Sequence, residues 1–152
     1  MKKLLVLFVA MVLGGAFAQG RLFGEVASGN MALVPNFGLS VSARMGAENA
    51  LGPLALRGGF GLQTSSGGTA FGIGADALYF LRNPGLDFYF GGGLGLQAGG
   101  TTVFVLSGAA GLELPVSGNF NFLVELKPAL YFAGGSSQFG LDVEFGPRLY
   151  FR

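Results

Sequence analysis

Along most of this chain apolar and polar residues alternate with a period of two, as in β-strands whose two faces meet different surroundings. Toward the end, Phe139, Leu141, Val143, Phe145, Pro147, Leu149 and Phe151 share one face, while Asp142, Glu144, Arg148 and Arg152 fall on the other. Earlier, Phe37, Leu39, Val41, Ala43 and Met45 are set against Gly38, Ser40, Ser42 and Arg44. Leu86, Phe88, Phe90, Leu94 and Leu96 oppose Asp87, Tyr89, Gly93 and Gln97, and Phe120, Phe122, Val124, Leu126, Leu130 and Phe132 oppose Asn121, Glu125, Lys127 and Tyr131. The pattern predicts eight strands, at about 20–27, 35–45, 54–64, 69–81, 86–98, 102–114, 120–132 and 138–152. Pieces rich in Gly, Ser, Asn and Pro separate them, at 28–34, 46–53, 65–68, 82–85, 99–101, 115–119 and 133–137. Connections this short make successive strands antiparallel hairpins in an up-and-down order.

The charges test the alternation. Arg21, Glu25, Arg44, Arg57, Asp76, Asp87, Glu113, Glu125, Lys127, Asp142, Glu144, Arg148 and Arg152 lie in predicted strands. One charge per strand fixes its polar face, and every further charge in that strand falls on the same face. Glu48 and Arg82 fall in predicted turns.

Two opposite barrels share such a pattern: a lipocalin-like one with an apolar interior, and a membrane barrel with an apolar exterior. The polar face decides between them. Apart from its few charges it offers Gly, Ala, Ser and an occasional Tyr, and Lys127 is the single lysine after residue 3. Charged residues make up 11% of the chain, against roughly 25% in soluble domains, and mean hydropathy is +0.57. That is too little charge to clothe a water-facing surface. In hydrocarbon a sheet must close on itself, since its edge N–H and C=O groups find no water. The expected fold is therefore all-β, an eight-stranded antiparallel up-and-down transmembrane β-barrel.

At this point the chain resembles the small eight-stranded outer-membrane β-barrels of the OmpA and OmpX transmembrane-domain type, as an architecture spanning residues 19–152. Members of that family end in an alternating strand with a terminal aromatic that looks like the signal read by the barrel assembly machinery. Phe151 matches that aromatic, with Leu149, Phe145, Val143 and Leu141 at alternate positions before it, while Arg152 after it departs from the pattern. The resemblance implies residence in the outer membrane of a two-membrane bacterium, among its lipids, and insertion by that machinery.

The first residues fit such a destination. Met1-Lys2-Lys3, the apolar run from Leu4 to Gly15, and Ala16-Phe17-Ala18 before Gln19 form a secretory signal whose core is short for a bilayer span. Cleavage after Ala18 is expected, with residues 1–18 removed and 19–152 forming the barrel. Loss of Lys2 and Lys3 leaves seven basic residues against eight acidic ones, scattered rather than clustered, so no nucleic-acid partner is expected. Cys is absent, so the exported fold stands without disulfides.

Counted from a periplasmic start, Glu25, Arg44, Arg57, Asp76, Asp87, Glu113, Glu125, Lys127, Glu144 and Arg148 gather in the lower and middle interior, and with Asp142 they form an expected plug of paired ions. In the upper interior Gly38, Ser40, Ser42, Gly61, Gly72, Gly74, Gly93, Gly95, Ser107 and Gly140 leave space. Either these glycines relieve crowding, or they open a small pocket lined by Val103, Val105, Ala129 and Tyr131 that suits a lipid tail or small apolar molecule. Pro128, central in its strand, calls for a bulge; Pro147 fits near a rim.

Without His or Cys the chain builds no Ser-His pair, no Cys nucleophile and no imidazole or thiolate metal site, so neither an enzyme nor a cofactor is expected. Short Gly-Ser outer turns give little side chain to a protein partner. The sequence thus reads as a monomeric structural barrel contributing to outer-membrane integrity. The alternative is binding or transfer of a small apolar ligand or lipid, or a minor pore, through an outward-opening pocket.

Overall fold

The computed structural model describes residues 20–31, 38–65 and 68–151; the leader expected at 1–18, Phe37 and Arg152 lie outside them. Eight strands follow one another: β1 (Leu22–Met31), β2 (Gly38–Leu51), β3 (Leu54–Ser65), β4 (Gly68–Leu81), β5 (Asp87–Gly99), β6 (Thr101–Ser117), β7 (Phe120–Ala133) and β8 (Ser136–Phe151). Each pairs antiparallel with its sequence neighbours, and β1 pairs with β8, from Leu22↔Phe151 to Met31↔Asp142, to close the barrel. We call the end where β1 begins the lower end; the β2–β3, β4–β5 and β6–β7 turns lie there too.

Three strands run further than their composition predicts. Ser28–Met31 continue β1, Gly46–Leu51 continue β2, and Pro115–Ser117 continue β6. Glu48 is therefore a strand residue, not a turn residue. Turn-forming residue types yield here to neighbouring strands that offer ladder partners. Two irregularities mark these extensions. The β2–β3 register shifts between Ala47 and Leu51, where Asn49 has a φ of 55°, and the β6–β7 register shifts between Pro115 and Ser117. Arg21, expected in the first strand, precedes β1 and is exposed.

The exterior is apolar all round. Leu39, Phe60 and Leu94 are 60%, 57% and 56% exposed, whereas Arg57 is 1% exposed. Every strand charge expected on the polar face between Glu25 and Arg148 points inward. The interior is not uniformly polar, however. Its lower part holds Phe23, Leu78, Tyr89 and Tyr150, all buried, with Phe80 packed against them, and Leu123 is fully buried as well. Phe23 lies 5.8 Å from Tyr150 and 6.4 Å from Phe80, and Phe80 lies 5.2 Å from Tyr89, as ring centroids. This aromatic floor corrects the expectation of Gly, Ala, Ser and an occasional Tyr beside the charges.

The prolines are accommodated without the bulge expected at Pro128. β7 keeps one register against β8 from Phe120↔Leu149 to Ala133↔Ser136. On its other side, partners with β6 stop at Ser107↔Ala129 and resume unshifted at Ala110↔Leu126. The ring faces Gly108, where a Cβ would stand 3.1 Å from Pro128 Cγ. Pro147 follows the same rule: it pairs with Phe122 of β7, while the β1 ladder lapses between Glu25↔Arg148 and Ser28↔Phe145. A residue without an N–H loses one ladder and keeps the other.

Space inside eight strands is scarce, and a repeated pairing supplies it. Phe23 lies beside Gly46, Arg44 beside Gly59, Asp76 beside Gly93, Tyr89 beside Gly111, and Glu144 beside Gly29, each a direct cross-strand partner. A Cβ on any of these glycines would stand 2.2–2.9 Å from the side chain concerned. In all five the large side chain leans onto the next strand around the barrel.

Gly111→Val, whose Cβ would meet the Tyr89 ring at 2.2 Å, is expected to cost about 1–3 kcal/mol by overpacking. Gly72→Val, where the nearest atom stands at 3.4 Å, is expected to stay within about 0.5 kcal/mol. Urea unfolding of the two variants in lipid vesicles compares them.

Candidate functional site

Above the aromatic floor the inward residues of β1, β2, β3, β4, β6, β7 and β8 meet in one ion-pair network. Arg57 is fully buried and sits at its centre. Its Nε and Nη2 donate to Asp76 Oδ2 at 2.9 and 2.6 Å, Nη1 donates to Glu25 Oε1 at 2.9 Å, and Nη1 and Nη2 donate to Glu125 at 2.7 and 3.0 Å. Arg44 reaches Glu25 at 2.9 Å, Glu125 at 3.2 Å and Glu144 at 2.5 Å. Arg148 donates to Glu25 Oε2 at 2.8 Å and to Glu113 Oε2 at 2.6 Å. Asn121 donates to the other oxygen of Glu113, and Lys127 stands 3.8 Å from Asp76.

The planar, forked guanidinium explains why arginine holds the centre: one Arg57 side chain engages three carboxylates with directed N–H groups. Arg148 also joins this layer to the floor below. Its guanidinium carbon lies 4.7 Å from the Phe23 centroid, 4.9 Å from Tyr89 and 5.4 Å from Phe80, within cation–π reach of all three.

Two residues expected in the network stand apart from it. Asp87 belongs to a clasp at the lower rim, where Arg82 of the β4–β5 turn bridges it to Glu48. The same guanidinium lies 3.4 Å from the Tyr150 hydroxyl and 4.5 Å from the Phe80 centroid. Burial opposes the charge of Arg82, but Tyr150, Glu48 and Asp87 outweigh it and raise its pKa above the ordinary arginine value. Arg21 adds to the clasp, 3.8 Å above the Tyr150 ring, and its carbonyl accepts the Glu48 N–H at 3.0 Å. Asp142 is the second. It accepts the Tyr131 hydroxyl at 3.3 Å, while its other oxygen is buried and has no hydrogen-bond partner.

The clasp was not anticipated as a unit. Its signal was present, since Glu48 and Arg82 are opposite charges outside the predicted strands at the same end of the barrel. Asn121 had no such signal.

The upper interior holds a cavity of about 150 Å³. Val105, Ala129 and Tyr131 line it as expected, but Val103, opposite Gln97, does not. The lining also departs from the apolar expectation. Ser40, Ser42, Gln63, Gln97, Asp76, Lys127, Asp142 and Glu144 contribute to it, so the network forms its floor. The upper glycines answer to both readings offered by the sequence: Gly93 makes room for Asp76, whereas at Gly72 the space is left open. Phe151, at the end of β8, points outward and pairs with Leu22.

No family model matches the sequence, and no curated protein matches it either. Solved structures do resemble it. Neisserial surface protein A (NspA) is similar with a TM-score of 0.67 at 16% identity, over 86% of this chain and 96% of that one. The N-terminal β-barrel domain of Pseudomonas aeruginosa OprF gives 0.62 at 15% identity, over 86% and 98%. A de novo designed transmembrane β-barrel gives 0.56 at 20% identity, over 87% and 96%. At these identities the likeness is one of fold, that of a small transmembrane β-barrel.

Removing the central guanidinium leaves three buried carboxylates facing one another. Arg57→Met is expected to lower stability by about 3–5 kcal/mol, read from urea titrations in lipid vesicles. Adding Glu125→Gln to that variant should return part of the loss, with a coupling of about 0.5–3 kcal/mol in the double-mutant cycle.

Proposed function

We propose that this chain, which has the fold of the small eight-stranded outer-membrane barrels, is a structural rather than catalytic protein of the outer membrane of a two-membrane bacterium, contributing to the integrity of that membrane as a monomer. The observation that carries this reading is the pairing of an apolar exterior with a filled lower interior. Arg57 and Arg44 reach across the barrel to Glu125, Arg148 holds Glu25 and Glu113, and the aromatic floor and rim clasp lie beneath them. A conducting pore needs an unobstructed polar path, and side chains cross the path here.

The expected partners are the lipids around the barrel and, during insertion, the barrel assembly machinery. Phe151, outward-facing on the last strand, supports the second role. Phe151→Ala is expected to lower the yield of membrane-inserted barrel in cells while leaving the purified variant able to refold in detergent. Equal yields in cells would remove that role.

Fractionation should recover the protein in the outer membrane, with a gel mobility that changes on heating, and planar bilayers containing it should show no conductance steps. A processed chain that stays soluble and monodisperse in detergent-free buffer would overturn the reading. Leu94→Arg, in the middle of the apolar band, is expected to cost about 2–4 kcal/mol in bilayers, and Leu81→Arg near the lower rim about 0–1 kcal/mol.

A further inference from the structure

We propose that the upper cavity is a binding site for a small organic cation, a primary ammonium group on a short alkyl chain. This goes beyond the structural role and rests on the charge and shape of the cavity floor. The ion pairs link four cations, Arg44, Arg57, Lys127 and Arg148, to five carboxylates, Glu25, Asp76, Glu113, Glu125 and Glu144. One negative charge is left over before Asp142 is counted.

Asp142 lines the cavity and is a sixth carboxylate, outside every ion pair among the described residues. Lys127 is its direct cross-strand partner, yet it is Asp76 that the lysine approaches. Tyr131 gives Asp142 a neutral hydrogen bond, and the remaining oxygen has none. A carboxylate partly withdrawn from water with no cation in ion-pair contact is costly, and a cation arriving from solution relieves that cost. Anions are disfavoured by the same surplus.

The walls set the rest of the ligand. Val105 and Ala129 give apolar surface beside the acidic floor. A cavity of about 150 Å³ takes a molecule the size of a benzene ring, which corresponds to an alkyl chain of about four carbons with its ammonium. Gly72 lines that volume and keeps it open: a Cβ there would make only ordinary contacts, with Gln97 Cγ at 3.4 Å and the Leu96 carbonyl oxygen at 3.6 Å.

The test uses the full barrel refolded in detergent micelles and titrated by calorimetry with n-butylammonium and with n-butanol, equal in size but different in charge. Saturable binding of the ammonium, at least tenfold tighter than any binding of the alcohol, is expected. Asp142→Asn should weaken it at least tenfold, and Gly72→Leu should abolish it. Heat-dependent gel mobility of each variant reports that the barrel is intact, so the cavity can fail this test while the structural reading stands. The proposal is overturned by absent binding, by equal binding of ammonium and alcohol, or by affinity unchanged in either folded variant.

Discussion

Room inside the barrel is the constraint on which the rest of this structure depends. Eight strands enclose too narrow a space for a large side chain at every inward position. The sequence meets the constraint by setting a glycine beside its bulky inward residues, as Gly59 is beside Arg44 and Gly111 beside Tyr89. The absent side chain on one strand becomes the space in which its neighbour's side chain lies. The composition of 29 glycines follows partly from this, and it concerns packing more than backbone freedom.

What fills that space follows from the inversion of inside and outside. Lipid offers no hydrogen bonds, so polar groups gather in the interior, and once there they must satisfy one another. Three guanidiniums spread over several carboxylates accomplish this more completely than isolated pairs could. Below them the aromatic floor receives Arg148 on its upper side and the rim clasp on its lower side. Charge and ring thus alternate in layers along the barrel.

Much of the fold was legible because a period of two survives any uncertainty about where strands end. That Glu25, Arg44, Arg57, Asp76, Glu113, Glu125, Glu144 and Arg148 lie on the polar faces of their strands follows from that period, and the scarcity of charge on those faces turns them inward. Which of them touch does not, because contact depends on stagger between strands, and stagger is set by pairings such as Arg57↔Asp76 and Lys127↔Asp142. Asp87 was grouped with the network for that reason and lies one layer lower. Phe23, Leu78, Phe80 and Leu123 were hidden for a different one. An apolar residue on a polar face carries no charge to announce itself, and only the neighbouring glycine at 46 hints at a ring. The bulge expected at Pro128 is absent because the missing donor interrupts only the β6 ladder, while the β8 ladder holds its register.

The shared direction of the five large side chains has a mechanical consequence. Each leans from its own strand onto the following one, and Glu144 on Gly29 carries the pattern from β8 to β1. Five of the eight junctions are wedged in this way, and the one that closes the barrel is among them. A larger residue at any of these five glycines therefore presses on a side chain of the strand before it.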